Sequence, residues 1–342
     1  MFTIAPHLTG RTRSQITVHD RVERTMAEGL GFNWYSGYQA DTYPAIDDEA
    51  RWARIFAHAD NIGIRFVRFG LGICWDENGS FVPNAQSFEQ LIRVDAWARQ
   101  RGIHLMLDSW GIPPAFRFPP WEGAPGVWGG GPQPGVRDVD GFVTRFVLPL
   151  VRYAVQELGL TSIRYYNHVN EPFSGNSYST PPGIDNHVRY VEVIRAIRQG
   201  LDAAGLPDIG QMGPGCNDIR SWPVADMVAA GYDPDPWLAA YDQHNYHTRP
   251  DWAPNADNLH GGNLPLSEMM TDYLQPEVAY AHQRNKPFFL TEVGTFHYGW
   301  SWGDPAGIAR HDNVINELAF CVESMRAGVD GALRWAWLNP GD

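Results

Sequence analysis

The sequence predicts one (β/α)8 barrel, and three observations carry the prediction. Eight short runs rich in apolar, aromatic and β-branched residues alternate with segments of helical period, the pattern of a parallel sheet with covering helices. The chain has 342 residues, 44% of them hydrophobic, which suits a single barrel of about 200 to over 400 residues with a sizeable core. Two runs end on glutamates, Glu171 and Glu292, placed 121 residues apart. The three units between them therefore average about 40 residues, a normal β/α length. Strands are expected near 31–34, 65–70, 104–109, 162–169, 210–214, 240–246, 287–292 and 331–337.

Residues 1–24 read as an N-terminal segment. Its candidate short strands, Thr3–Ala5 and Gln15–His19, would cap the barrel floor or form a small side sheet; the barrel is expected over 25–342. Gly29–Trp34 opens it. From Asp47, Trp52, Ile55, Phe56, Ala59 and Ile62 recur at helical spacing, with Asp47 as N-cap and Gly63 just past the end. Ile64–Gly70 is the second strand. Ser87 and Gln90 form a capping box for a helix carrying Phe88, Leu91, Ile92 and Trp97, stopped by Gly102. Ile103–Trp110 is the third strand. A Gly/Pro/Trp-rich stretch over 111–135 follows, and so long a loop in a compact domain is usually functional.

A helix over Val139–Leu158 leads to the fourth strand, which starts at Ser162 and stops at Asn170-Glu171-Pro172, because proline cannot donate to a sheet ladder. The next helix ends near Gly205, and Gly210–Cys216 is a weak fifth strand with a short helix behind it. Ala240–His247 is the sixth strand, followed by a loop to Pro265 and a helix over Ser267–Arg284. In Lys286–Gly294 the run Phe288-Phe289-Leu290 reads as a strand buried on both faces, delivering Glu292. A Trp-rich loop and a helix over Ile308–Ala327 precede the last strand, Gly331–Leu338. No eighth helix follows before Asp342. Either the N-terminal segment covers that gap or, as we expect, the natural chain continues.

Composition removes several function classes. Net charge is −13 with no basic run, which argues against nucleic acid and anionic membranes. A neutral ligand such as sugar stays open. No apolar run approaches the roughly 20 residues that span a bilayer, and residues 1–20 lack a signal-peptide core. A soluble chain is expected, cytoplasmic or secreted in processed form. Cys74, Cys216 and Cys321 are scattered, with neither disulfide nor metal spacing. No metal or cofactor is expected. Aromatics reach 13% with 14 Trp; many stand beside Gly and Pro, where they would either stack on sugar rings or brace loops.

Barrel active sites lie at the carboxyl ends of the strands. Standing there are Asn33 and Trp34, Arg68, Asp108 and Trp110, His168, Asn170 and Glu171, Asn217, His244 and Tyr246, Glu292, and Trp335 and Trp337. His244 and Tyr246 are two apart and share one strand face. Each residue alone has a bland reading. Asn-Glu-Pro is a common turn, Glu292 with Arg68 a buried ion pair, His244 a core histidine, Trp335 and Trp337 core. Their joint placement carries the functional reading, because two carboxylates on two strand tips are the equipment of glycoside hydrolysis.

As an ordered strand pattern over essentially the whole chain, Asn170-Glu171-Pro172, His244-Asn-Tyr246, Glu292 in Leu-Thr-Glu-Val-Gly and a strand-eight Trp resemble the retaining glycoside hydrolases of clan A. The resemblance implies Glu171 as general acid/base and Glu292 as nucleophile. It implies Asn170 on the sugar 2-hydroxyl, Tyr246 and Arg68 beside the nucleophile, and Trp335 as the floor of subsite −1. Leu107-Asp-Ser-Trp-Gly111 departs from the Leu-His-Gly context of family 5. Trp110 followed by Pro113-Pro114 is more similar to family 30.

The expectation is hydrolysis of a neutral, β-linked glycan or glycoside by double displacement. The proton of Glu171 would be held by burial and by repulsion from Glu292. Trp121, Trp128, Trp252, Trp300 and Trp302, on loops over 111–135, 246–265 and 295–305, would either wall off a pocket, the reading favoured because three loops crowd the mouth, or line a cleft. The alternatives are a transglycosylase on the same site, a non-catalytic glycan-binding barrel and a metal-dependent barrel hydrolase. The last fits least: it would need His-x-His where Asn33-Trp34 stand, and His244 and His247 are out of phase.

Overall fold

Eight parallel strands close into a barrel in the computed structural model, which describes residues 3–4, 16–17, 25–36, 48–121, 134–173, 178–216, 222–247, 266–295 and 311–334. The strands are β1 (Gly29–Tyr35), β2 (Phe66–Gly70), β3 (His104–Asp108), β4 (Ile163–Asn167), β5 (Gly210–Cys216), β6 (Ala240–His247), β7 (Phe288–Thr295) and β8 (Gly331–Arg334). They pair in chain order and β8 closes on β1. Every expected strand is present. Thr3–Ile4 and Ile16–Thr17 form a separate antiparallel pair.

Strand alternation sets two layers inside the barrel. Phe66, Met106, Met212, Ala240, Phe289 and Leu333 form one buried cluster that plugs the interior. Two residues on from Phe66, the same face of β2 carries Arg68, which opens a polar layer above the plug. The outward residues, Val67 and Phe69 among them, join the larger core between barrel and helices.

Two helix starts differ from expectation. Helix α1 (Glu49–Ile62) is capped by Asp48 rather than Asp47: Ala50 N donates to Asp48 Oδ1 at 2.8 Å. It ends at Gly63 with φ 76°, as the sequence predicts. Helix α2 (Ala85–Arg99) starts earlier than the Ser87 box, because Asn84, an equally good cap, accepts from Ser87 N at 3.0 Å. The box residues serve other contacts: Ser87 Oγ accepts from Gly72 N at 3.1 Å, and Gln90 Oε1 accepts from an indole described below. Helix α3 runs from Val139 to Glu157 as four consecutive segments, two of them π turns. Helices α4 (Asn186–Ala203), α5 (Pro223–Ala229), α6 (Leu266–Gln283, with a π segment over Met269–Leu274) and α7 (His311–Ala327) follow in the described coat.

Two bulges shape the mouth. Gln243 pairs with Leu290 but His244 pairs with Glu292, so Thr291 is an extra residue in β7. The β8 register skips at the same place. On the other flank of β6, Pro214 pairs with Asp242 and Cys216 with Gln243, so Gly215 is extra in β5, with φ 54°. No helix among the described residues is long and apolar enough to cross a membrane. Asn217, Trp128, Trp252, Trp300, Trp302, Trp335 and Trp337 lie outside the described residues, with most of the three long loops.

Candidate active site

Arg68 is the hub of the polar layer. It is 1% exposed, and its fork meets four side chains. Nε and Nη2 donate to Asp108 Oδ2 at 2.8 and 2.5 Å, and Nη2 to Asn170 Oδ1 at 2.6 Å. Nη1 donates to Asn33 Oδ1 at 3.3 Å and to Glu292 Oε1. Burial works against the guanidinium's charge, but Asp108 and Glu292 outweigh it and hold the group above its usual range. The cation is therefore permanent. Asn33 is pinned in turn: its Nδ2 donates to Thr291 O at 2.9 Å and to Arg334 O at 3.3 Å. Fully buried Asp108 accepts from Trp110 N on its other oxygen at 2.6 Å. It thus positions Arg68 and the Trp110 turn rather than facing the opening. The guanidinium lies 4.9 Å from the Trp110 ring, whose outer edge meets Tyr35 at 4.9 Å.

Glu171 arrives differently. The ladder of β4 ends at Asn167, shorter than the expected 162–169, because Asn167 turns the chain by accepting from Val169 N at 3.3 Å. Glu171 stands beyond that bend with φ 46°, directly before Pro172. An L-residue before proline normally stays extended, so this backbone stores roughly 1–3 kcal/mol of strain. Trp110 also has positive φ, 61°. Strain of this kind collects at functional sites.

His244, fully buried on β6, joins the two carboxylates. Its Nδ1 lies 2.8 Å from Glu171 Oε1 and 3.4 Å from Glu292 Oε2. One ligating atom from each of the three residues falls within 4.8 Å of the others. Such a group can hold a metal ion. Here Glu292 already faces the Arg68 cation, which would repel a dication on the same carboxylate, so the arrangement suits a shared proton better.

The remaining expected residues separate clearly. Asn170 sits in the site through Arg68. Tyr246 lies on β6 opposite Gly294; only its backbone is described. Trp34 is a correction: it faces the helices. It stacks on Trp52 at 5.1 Å and donates from Nε1 to Gln90 Oε1 at 2.8 Å. Adjacent strand residues face opposite sides, so Asn33 inside the barrel forces Trp34 out. His168 likewise lies behind β4, its ring 5.3 Å from that of Tyr190; burial pushes its imidazole down to about 3, so it is neutral.

Sequence reasoning missed Asp242 and Thr291. Asp242 is completely buried, and its Oδ2 accepts from Thr291 Oγ1 at 2.6 Å. The signal was present: Asp242, His244 and Tyr246 share a strand face, so placing His244 in the barrel also placed Asp242.

No protein-family model and no curated protein sequence matches this chain. Its fold does match solved structures. The GH30 xylanase C catalytic domain from Talaromyces cellulolyticus is 14% identical with TM-score 0.59, over 93% of this chain and 70% of that one. A monomeric beta-xylosidase from Caulobacter crescentus CB15 is 14% identical with TM-score 0.57, over 91% and 60%. Cel5A (EG2) from Hypocrea jecorina (Trichoderma reesei) is 12% identical with TM-score 0.56, over 91% and 89%. These neighbours belong to the glycoside hydrolases that the strand pattern resembles. At such identities the likeness is one of fold.

Proposed function

We propose that the chain is a retaining glycoside hydrolase acting on a neutral, β-linked glycan or glycoside. One observation carries the reading: oxygens of Glu171 and Glu292 lie within 4.8 Å of each other at the mouth of the barrel. Retaining enzymes hold their two carboxyls about 5–5.5 Å apart, whereas inverting ones need about 6.5–9.5 Å to admit a water. The short gap favours direct attack by one carboxylate on the anomeric carbon.

The environments support a division of roles. Glu292 lies against a fixed guanidinium, the setting of an anionic nucleophile. Glu171 touches a titratable imidazole, is the more exposed of the pair, and stands on the strained turn. It protonates the departing glycosidic oxygen as Glu292 forms the glycosyl-enzyme. It then takes a proton from the water that cleaves this intermediate. Asn170, held by Arg68, is placed to meet the sugar 2-hydroxyl. Neutral substrates fit better than uronic acids, because Arg68 is already occupied by Asp108, Asn170 and Glu292, and a net charge of −13 repels polyanions.

The test is Glu171→Ala assayed on a panel of aryl β-glycosides. Nitrophenyl glycosides, which leave without protonation, should still form the glycosyl-enzyme, and azide should restore turnover as a β-glycosyl azide. Equal loss for every leaving group would reject the assignment, and a product of inverted configuration by NMR would reject double displacement.

A further inference from the structure

Glu171 is held against its own backbone preference. It stands in the left-handed region with φ 46°, directly before Pro172, where a residue with a Cβ ordinarily stays extended. Such a conformation persists only where the surroundings fix the chain on both sides. Upstream the anchor is Asn170, whose Oδ1 accepts from Arg68 Nη2 at 2.6 Å. Downstream Pro172 is buried, and Phe173 follows it. The Phe173 ring meets His187 at 4.7 Å, Tyr190 at 5.2 Å and Tyr178 at 6.4 Å. Tyr178 and Tyr190 are completely buried and stand edge to face at 6.0 Å. His187 and Tyr190 lie three apart on α4, so one helix face presents two walls of this box. Asp185 fixes that end of the helix by accepting from His187 N at 2.8 Å and Val188 N at 3.2 Å. A second tie holds the backbone: a hydrogen bond runs from the Phe173 main chain to the Cys216 thiol at the end of β5. Phe173 packs on the core from its edge and is only partly buried. Its ring adds little burial yet makes three aromatic contacts, two residues past the strained glutamate.

We propose that Phe173 is a positioning residue for the acid/base: its ring, docked among Tyr178, His187 and Tyr190, holds the turn that presents Glu171. This rests on the role of Glu171 given above. Phe173 acts through the chain and not on the substrate. With both anchors in place, relaxing Glu171 toward an extended conformation would have to pull Asn170 from Arg68 or the ring from its box. Glu171 Oε1 therefore stays 2.8 Å from His244 Nδ1, and the two carboxyls stay within 4.8 Å. Without the ring, the downstream hold falls to the single Cys216 contact, and the backbone before Pro172 is free to relax. Glu292 is untouched, because β7 and Arg68 hold it independently. The loss is therefore one of proton transfer, with the nucleophile intact.

The experiment compares wild type with Phe173→Ala and with Phe173→Leu, which keeps an apolar side chain in the box. His187→Ala removes one wall at a partly exposed position and serves should Phe173→Ala fold poorly. For an alkyl β-glycoside, whose leaving group needs a proton, kcat/KM should fall on the order of 10- to 10²-fold in Phe173→Ala, the loss that ångström-scale misplacement of a catalytic group brings. His187→Ala should show a smaller loss of the same kind, and Phe173→Leu should recover most of it. A nitrophenyl glycoside, which leaves without a proton, should keep its kcat/KM in every variant, since that ratio reports the steps up to the glycosyl-enzyme. Crystal structures of the variants read the turn without turnover. In Phe173→Ala, Glu171 should leave the left-handed region and its carboxyl should move out of hydrogen-bond reach of His244; Phe173→Leu should retain both features. Glu171 unmoved in both alanine variants, or kcat/KM lowered equally for the two leaving groups, would overturn the proposal. A turn that moves as described in a protein inactive on every glycoside would support the hold of Phe173 on Glu171 while rejecting the hydrolase reading.

Discussion

On the β2–β3–β7 side of the mouth, Glu292 meets a guanidinium that is itself gripped by Asp108, Asn33 and Asn170. On the β4–β6 side, Glu171 meets an imidazole, with Asp242 behind it. On the first side Arg68, Asp108, Asn33 and Glu292 are buried, and the guanidinium is permanently charged. The second reaches solvent at Glu171, sits on a strained turn and holds Asp242, whose carboxyl burial raises to about 6. A nucleophile needs a constant charge, whereas an acid that becomes a base must change its own. On the proposed assignment the barrel would supply both by giving one carboxylate an arginine and the other a histidine.

The largest effect should come from the fixed side. Glu292→Gln keeps the shape and an acceptor for Arg68 but removes the attacking oxyanion. Turnover should fall on the order of 10⁴- to 10⁶-fold with every substrate, as when a covalent nucleophile is removed. Steady-state assays across leaving groups check it, and a loss confined to poor leaving groups would exchange the two roles. Glu171→Ala on the titratable side should cost about 10²- to 10⁴-fold, the usual yield of general acid catalysis, and only where the leaving group needs its proton.

Next in size is Arg68→Met. It leaves Asp108 and Glu292 buried without their cation, so folding stability should drop by about 3–5 kcal/mol, read from the denaturant midpoint. Arg68→Lys should recover only part of this, because an ammonium cannot bridge Asp108, Asn170 and Glu292 as a planar fork does. Full recovery by lysine would show that charge alone, without geometry, holds the site.

Asp242→Asn tests the other side through stability. The folded state raises this carboxyl from 3.8 to about 6, so the native protein holds the proton more tightly than the unfolded chain. Its contribution is therefore present in acid and is lost as pH rises from about 4 to about 6, at a cost approaching 3 kcal/mol. Asparagine removes that cost: the variant should gain on wild type above pH 6 and show no gain near pH 4. Chemical denaturation at the two pH values decides it, and equal differences at both would place Asp242 outside the titration.

Most strands were legible as runs rich in apolar, aromatic or β-branched residues, whereas β5, Gly-Gln-Met-Gly-Pro-Gly-Cys, has no such run and read only as a weak strand. Glu171, Glu292, Arg68 and His244 followed once strand tips were taken as the site. Helix starts slipped where two capping residues competed, as at Asp47 with Asp48 and at Ser87 with Asn84. The bulges were not legible. Thr291 and Glu292 are consecutive, yet Thr291 reaches Asp242 and Glu292 reaches Arg68 inside the barrel. Only a skipped register allows that.

The smallest effect separates the two faces of one strand. Asn33 points to the fixed side of the site, while Trp34, its neighbour, packs among Trp52, Phe69 and Gln90 outside the barrel. Trp34→Phe keeps an aromatic ring there but removes the indole donor, leaving the buried Gln90 Oε1 without it. That should cost about 1–3 kcal/mol, the price of an unsatisfied buried acceptor. The melting temperature should fall while kcat/KM per folded molecule stays unchanged, because no atom of Trp34 reaches the mouth. A raised KM for a sugar substrate with unchanged melting would place the indole back in the site, and with it the strand parity on which the layered interior rests.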